Sequence, residues 1–212
     1  MGGKMTKVIP VPMGAVAAYI IKGEKTILVD TGYRGSENRI LNKMYQEGVN
    51  PEEVSMILLT HGHDDHFGSA KVLRDKFNAP VAIHNADAEN IRKGDNGVLT
   101  PTGGFGKLIT PLMNGMAKSK VKGFEPDILL QDNFGLGAYG IDGKVISTPG
   151  HTPGSISIVL SSGEIIIGDL MMSFFRKQIP GFPVWANDID DVKKSINRVV
   201  ELSPKIIYAS HG

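Results

Sequence analysis

The stretch LLTHGHDDHFGSA, residues 58–70, brings three of the chain's six histidines and two aspartates into six consecutive positions. The apolar run VSMILLT, which overlaps its start, predicts a short buried strand. His61 and His63 are two residues apart, so an extended backbone would point both imidazoles to one side. Asp65 and His66 are adjacent and would diverge, which suits a second ion beside the first. The stretch therefore predicts a metal site at the C-terminal end of a strand.

The composition limits the class of protein and the kind of metal ligand. The 212 residues include no cysteine, which excludes disulfides, thiolate ligands, iron–sulfur clusters and a cysteine nucleophile. The net charge is only +1, so no overall electrostatic field draws the chain to nucleic acid. No apolar run approaches the roughly 20 residues of a membrane span, and the start, MGGKMTKV, predicts a polar leader instead of a signal peptide. We therefore expect a cytoplasmic protein with neither a nucleic-acid nor a membrane partner.

Outside this stretch, the hydrophobic pattern predicts alternating strands and helices. AVAAYII and KTILVDTG flank a polar turn and predict a hairpin. Helices are predicted over residues 37–47 and 188–202, the second with Asp188 as its N-cap, and over SAKVLRDKF and NADAENIRK. Further short strands are predicted at PVAI, DILL, KVISTPGH, SISIVL, EIIIGD and KIIYASHG. This order of elements predicts a single α/β domain over residues 1–212, with two sheets and the helices outside them.

Three more candidate ligands follow the ends of predicted strands. His151 comes after VISTPG, Asp169 after EIIIG and His211 after IIYAS. Because ligands gather at strand ends in layered α/β folds, we expect these residues to join the histidine cluster at one sheet edge. A lone histidine there would be structural or solvated, but five histidines and two carboxylates together predict a nitrogen and oxygen site for zinc, iron or manganese. His84, the sixth histidine, lies outside this pattern and is predicted not to bind metal.

The motifs together resemble those of the metallo-β-lactamase superfamily. HGHDDH, residues 61–66, fits the signature H-x-H-x-D-H, and ILVDTG, TPGHTPGS, IIGDL and the final SHG occur in that family's order over nearly the whole chain. The resemblance implies a four-layer αββα sandwich with two divalent metal ions at one edge, expected to be zinc, with iron or manganese as alternatives. It also implies the ligands of each ion: His61, His63 and His151 for the first, Asp65, His66 and His211 for the second, and Asp169 as the bridge.

The resemblance further implies a metal-dependent hydrolase. Two cations sharing a bridging water would lower its pKa towards about 7 and supply hydroxide for the attack, while the cations stabilise the oxyanion. We expect Asp65 to orient this nucleophile and to handle its proton, and Asp64, the variable position of the signature, to be exposed or to cap the next helix. Asp30 would lie beneath the ligands and contact them, although a plain turn residue before Thr31 and Gly32 explains it equally well from the sequence.

The expected substrate is a small ester, thioester or lactone. The missing cysteine excludes the β-lactamase branch that uses a cysteine ligand, and the Asp169 bridge resembles the branch of lactonases and thioesterases related to glyoxalase II. Because the sequence ends one residue after His211, we do not expect glyoxalase II itself, which carries a further C-terminal helical region. For the same reason we expect the last strand to fray and to loosen His211. His63 stands where flavodiiron oxygen reductases carry glutamate, and no basic run typical of the nuclease members is present.

Two alternatives of a different class stay open: a mononuclear iron oxygenase acting on a small thiol persulfide, which uses the same fold, and a non-catalytic metal-binding module. The glycine-rich segment Gly94–Pro126 is also open to two interpretations. It is long for a connection and carries several apolar residues, among them Phe105 and Met113, so it is predicted to be a lid that contacts the substrate. The alternative is a surface helix whose apolar side completes the core.

Overall fold

The computed structural model describes residues 6–116, 121–173 and 180–212, with side chains described up to Pro111 in the first range. Within these ranges the chain forms two β-sheets. The first sheet consists of six strands that are neighbours in chain order: β1 (Lys7–Pro12), β2 (Ala17–Lys22), β3 (Thr26–Val29), β4 (Val54–Leu58), β5 (Val81–His84) and β6 (Ile128–Leu130). β2 runs antiparallel to both β1 and β3, and β3 to β6 are parallel.

The second sheet consists of β7 (Phe134–Gly135), β8 (Gly143–Ser147), β9 (Ile156–Leu160), β10 (Glu164–Ile166) and β11 (Ile206–Tyr208). Its order is β11-β10-β9-β8-β7. β9 runs antiparallel to both β8 and β10, and β11 runs parallel to β10. The C-terminal ends of β8, β10 and β11 therefore lie at the same edge of this sheet.

The described helices are α1 (Glu37–Gln46), α2 (Asp64–Phe67), α3 (Ala70–Phe77), α4 (Ala88–Lys93), α5 (Gly104–Met116) and α6 (Ile189–Glu201). α6 begins as the sequence predicts, because the Asp188 carboxylate accepts hydrogen bonds from the backbone N–H groups of Asp190 and Asp191. The one-turn helix α2 is an addition to the predicted elements. No helix in the described ranges is long and apolar enough to cross a membrane.

The apolar side chains pack on both faces of each sheet, which produces four layers. Met56 of β4 and Ile158 of β9 belong to the cluster between the two sheets. Ile57 points to the other face of β4, as strand alternation requires, and packs with side chains of α1, α3 and α4. α6 covers the outer face of the second sheet through Val192 and Val199. The αββα sandwich expected from the sequence is confirmed.

β1 is an element that the sequence does not predict, because the start of the chain resembles a polar leader. Residues 7–12, KVIPVP, pair antiparallel with β2 although Pro10 and Pro12 have no N–H to donate. The strand forms the outer edge of the first sheet, where one side of its ladder is unused and proline is tolerated. The leader interpretation is wrong from Lys7 onward, and residues 1–5 lie outside the described residues.

Candidate metal centre

Strands of both sheets end at one edge of the sandwich, and this brings the candidate ligands together. The candidates that follow the ends of β3, β4, β8, β10 and β11 are Asp30, His61, His63, Asp65, His66, His151, Asp169 and His211. The Ile156 N–H donates to the Thr60 carbonyl over 3.0 Å, and this bond joins the two sheets at the same edge. The topology thus places segments that are far apart in sequence around one volume.

Three buried histidines form what we call the first ligand group: His61, His63 and His151. His63 Nδ1 lies 3.1 Å from His61 Nε2 and 3.0 Å from His151 Nε2. Two nitrogens bound to one tetrahedral zinc at about 2.1 Å lie roughly 3.4 Å apart, which is close to the observed spacing. The group therefore fits a single small cation.

We call Asp65, His66 and His211 the second ligand group; their ligand atoms also lie within 4.8 Å of one another. Asp65 and His66 are adjacent on α2 and approach each other, at 3.8 Å between Oδ1 and Nε2, although the sequence predicts that they diverge. His211 Nε2 lies 3.4 Å from Asp65 Oδ2. The His211 carbonyl accepts a bond from Ser173 N–H over 3.0 Å and its side chain is buried, so the structure does not show the fraying expected at this end.

Asp169 lies between the two groups. Its Oδ2 is 3.5 Å from His151 Nε2 and 3.2 Å from His211 Nε2. Its Oδ1 is 3.4 Å from His66 Nε2. One carboxylate therefore contacts histidines of both groups.

Hydrogen bonds on the outer side of the imidazoles determine which nitrogen carries the proton. His151 Nδ1 donates to the Trp185 carbonyl and His211 Nδ1 donates to the Ala15 carbonyl, each over 2.7 Å. Because a carbonyl oxygen only accepts, both Nδ1 atoms carry a proton, so Nε2 is the nitrogen through which each imidazole would bind a metal. This is the tautomer that a metal requires.

Asp30 contacts the ligands from beneath. Its Oδ2 accepts bonds of 2.8 Å from His66 Nδ1 and from the Thr60 hydroxyl, and its Oδ1 accepts one from Thr60 N–H. Because the Thr60 hydroxyl donates to Asp30, its oxygen is left to accept from His61 Nδ1, 3.1 Å away. Asp30 adopts the left-handed conformation at φ 59°, which is uncommon outside glycine and is maintained here by these buried bonds.

Two buried polar atoms support the fit to a metal. His66 Nε2 and Asp169 Oδ1 have no hydrogen-bond partner within the described chain, although both are buried. An unsatisfied buried polar group costs about 1–3 kcal/mol. Both atoms face the ligand groups, so a cation bound there would satisfy them.

Burial and charge act differently on the two groups. Desolvation lowers the pKa of all three histidines of the first group, that of His63 to about 3, so their imidazoles are neutral at pH 7. In the second group burial also lowers the pKa of His211, but the Asp169 carboxylate outweighs it and raises that pKa to about 10. Burial raises the pKa of Asp65, but His66 and His211 outweigh it and lower that pKa to about 2. The first group therefore offers neutral lone pairs, whereas in the second a proton on His211 offsets part of the carboxylate charge and would be displaced by a bound metal.

The site opens into a pocket of about 250 Å³. Besides ligands of both groups, its walls include Tyr33, Leu99, Met172 and Trp185. A wider, more open groove of about 570 Å³ lies between α1 and β1 and contains none of the ligands. We place the chemistry in the smaller pocket because ligands of both groups line it, as does Asp169 with its unsatisfied Oδ1.

The segment Gly94–Pro126 meets this pocket through only part of its length. Leu99 lines the pocket, and the Trp185 indole N–H donates to the Thr110 hydroxyl of α5 over 2.9 Å. Phe105 is half exposed and is not part of the pocket wall. The side chain of Met113 and the whole of residues 117–120 lie outside the described residues.

Asn96, Asp87 and Trp185 contact the site but were not predicted from the sequence. Asn96 Oδ1 accepts from Asp64 N–H over 2.6 Å, and Asn96 Nδ2 donates to Asp64 Oδ1 over 2.8 Å. The expectation for Asp64 is therefore wrong, since it is partly buried and follows the N-cap residue His63 within α2. No sequence signal connects Asp64 with Asn96, which lies 32 residues away.

His84 lies outside both ligand groups. Its Nδ1 accepts from the Ala86 N–H over 3.3 Å, and its Nε2 lies 3.4 Å from the Ser147 hydroxyl. Neither contact involves a candidate ligand, and His84 belongs to none of the metal-binding groups found among the described residues. That His84 does not bind metal stays a prediction.

Comparison with known proteins identifies the family. The sequence profile of the metallo-β-lactamase superfamily matches residues 11–211. A relative described as a probable metallo-hydrolase from Methanocaldococcus jannaschii is 27% identical over 92% of this chain and 86% of its own length.

Solved structures share the fold. The metallo-β-lactamase GOB-18 from Elizabethkingia meningoseptica superposes with a TM-score of 0.72 at 22% identity, over 97% of this chain and 74% of that chain. A class B3 di-zinc metallo-β-lactamase from an Alaskan soil metagenome superposes with a TM-score of 0.69 at 22% identity, over 97% and 76%. The matched profile and the histidine and aspartate cluster show that the chain belongs to the metallo-β-lactamase superfamily and is a metal-dependent hydrolase.

Proposed function

We propose that the protein is a dinuclear metal hydrolase that cleaves a small-molecule ester, thioester or lactone. The observation that carries the proposal is the meeting of two complete ligand groups around one shared carboxylate. Three histidines alone would suit a single ion, but the second group adds a carboxylate and two more histidines beside it. A mononuclear centre needs only one of these groups.

The proposed first ion is bound by the first ligand group and the proposed second ion by the second, with Asp169 between them. Zinc is proposed because nitrogen and oxygen ligands without thiolate suit it, although iron and manganese accept the same ligands. The di-zinc β-lactamase of the same fold supports this choice.

Bound divalent ions would supply a hydroxide nucleophile at neutral pH and polarise the scissile carbonyl. We propose that Asp65 orients this nucleophile and accepts its proton. Asp65 lines the pocket, and its side chain is 18% exposed whereas those of His66 and Asp169 are 0% and 3% exposed. It is therefore the carboxylate of the centre that is most accessible to a reacting molecule.

The pocket walls support a small substrate with an apolar part. A volume of about 250 Å³ lies just below the roughly 300–1,000 Å³ typical of ligand pockets. Leu99, Met172 and Trp185 offer apolar surface beside the metal ligands. Tyr33 offers a donor, because burial and the nearby Asp65 raise the pKa of its phenol to about 12 and keep it protonated.

A panel of ester, thioester, lactone and phosphodiester substrates tests the proposal when metal content is measured on the same sample. We expect two ions per chain and turnover of a carboxylic ester, thioester or lactone. One iron per chain with oxygen uptake would instead support the persulfide oxygenase. Bound metal without turnover across the panel would support a binding module.

A further inference from the structure

Asp87 is a buried carboxylate outside both ligand groups. It follows β5 and is 2% exposed. It occupies the N-cap position of α4, yet its side chain accepts no bond from the N–H groups of that helix. A buried aspartate at an N-cap that does not cap its own helix has another set of donors.

Those donors come from loops of both sheets. Asp87 Oδ2 accepts from Gly62 N–H over 2.8 Å and from the Thr152 hydroxyl over 2.6 Å. Asp87 Oδ1 accepts from Gly154 N–H over 2.7 Å. Gly62 separates the first two histidines of the first ligand group, and Thr152 directly follows the third. One side chain therefore connects both loops that carry this group.

The contact is closely fitted. A Cβ added at Gly154 would lie 2.5 Å from Asp87 Cγ, so only glycine allows the loop to approach the carboxylate this closely. The carboxylate accepts hydrogen bonds from three donors and has no hydrogen to donate itself. An asparagine there would direct its NH₂ group at one of the two backbone N–H groups, whichever way the amide is turned.

We propose that Asp87 is a positioning residue for the first metal site. It holds the loop after β4, from the first sheet, and the loop between β8 and β9, from the second, at the spacing at which His61, His63 and His151 converge. This inference rests on the proposed first ion but not on the identity of the substrate.

The test compares Asp87→Asn with Asp127→Asn. Asp127 Oδ2 accepts the Val81 N–H over 2.8 Å at the opposite end of β5, so its variant makes the same change to a carboxylate that accepts from the backbone, but lies away from the ligands. Each substitution is combined with His211→Ala, which leaves only the first site intact, and separately with His61→Ala, which leaves only the second. Zn²⁺ affinity is measured by chelator competition, and the Co²⁺ absorption spectrum reports the coordination geometry.

We expect Asp87→Asn to weaken Zn²⁺ binding at the isolated first site by about 10- to 100-fold, as loss of a residue that orients metal ligands does. The Co²⁺ spectrum of that site should change as well. Binding at the isolated second site, and all binding by Asp127→Asn, should equal the matched parent. Equal weakening at both sites, or no weakening at the first, would overturn the proposal.

A second pair of variants covers the case in which Asp87→Asn does not fold. Thr152→Val removes one donor and should weaken the first site by a smaller factor, whereas Thr152→Ser keeps the hydroxyl and should restore it. Equal affinity in the two variants would count against the proposal. These titrations use metal and chelator only, so a failure to find a hydrolysed substrate leaves their result unchanged. A wild-type chain that binds no Zn²⁺ would refute the metal centre and this inference together.

Discussion

The ligand edge of the sandwich and the segment 94–116 beside its pocket are built in different ways. The ligand histidines are buried, and their outer nitrogens bond to acceptors on several separate segments. The segment instead exposes apolar side chains, with Val98 79% and Leu108 78% exposed, and is joined to the site by the bonds between Asn96 and Asp64 and between Trp185 and Thr110. Buried, multiply bonded groups hold a fixed geometry, whereas exposed segments with few contacts move more easily. Substitutions at the edge should therefore change metal binding, and substitutions in the segment should change substrate binding alone.

Asp169→Ala should have the largest effect, because Asp169 contacts histidines of both ligand groups. We expect the metal content to fall towards one ion per chain and turnover to fall by more than about 100-fold, the upper range for residues that only support ligands. Metal analysis and kcat on the same sample measure both. Unchanged metal content and rate would falsify the bridging role of Asp169.

Asp30→Asn should have the second-largest effect. The amide cannot accept all the bonds that Asp30 receives from His66 and Thr60, so the ligands lose their orientation. Metal affinity should fall by about 10- to 100-fold. Chelator competition measures this, and an affinity equal to that of the wild type would mean that the backbone alone orients His66.

Trp185→Phe should show whether the segment affects substrate binding without affecting metal binding at the ligand edge. It removes the indole bond to Thr110, while the backbone carbonyl that accepts from His151 stays in place. We expect KM to rise by roughly 2- to 10-fold, the value of one hydrogen bond, with metal content unchanged. Thr110→Val removes the same bond without touching the pocket, so it is the matched control.

If the position of α5 matters to the substrate, both of these variants should raise KM. A rise in Trp185→Phe alone would mean that the ring itself contacts the substrate. Loss of metal in either variant would contradict the separation of edge and segment.

His84→Asn should have little effect, although His84 ends a strand of the same sheet. Its contacts are with Ala86 N–H and the Ser147 hydroxyl, and asparagine can form similar bonds. We expect full metal content and nearly full turnover. A loss comparable with that of His61→Ala would show that His84 is a ligand after all.

Glu47→Gln should have the smallest effect and only at acid pH. Lys43 and Lys7 bond to Glu47 and lower its pKa from 4.5 to about 2, so the folded state binds the proton less tightly than the unfolded chain. These two ion pairs stabilise the fold above pH 4.5, and this contribution is lost as the pH falls towards 2. The contribution is small because both ion pairs are exposed to solvent. Urea unfolding of the variant between pH 5 and pH 2.5 should show a shallower loss of stability than the wild type, with metal binding at pH 7 unchanged.

Most strands and helices could be predicted because their apolar spacing is a local property. α6 follows the period of 3.6 residues that burial on one face imposes, and β4 is a short apolar run that is buried on both faces. β1 could not be predicted in this way, since Pro10 and Pro12 argue against a strand and only pairing with β2 makes the segment extended. α2 was missed because four residues are too few to show a helical period.

The segment 94–116 shows the limit of composition as a guide. Its apolar residues suggested a lid with Phe105 over the substrate, but Phe105 is half exposed and Leu99 lines the pocket instead. The apolar content of a segment indicates that it can contact an apolar surface. The course of its backbone determines which side chain reaches the site.

The sequence by itself determined an α/β domain with two sheets and outer helices, and the kinds of ligand, because apolar periods and the position of each histidine at a strand end are local. Only the tertiary structure decided which atoms meet: Asp169 between the two groups, Trp185 behind His151, and Asp87 against Gly154, 67 residues away. Distances along the chain do not determine distances between loops of two packed sheets, since these depend on how the sheets stack and where each loop turns. The supporting contacts of the metal centre therefore become visible only once the sandwich is assembled.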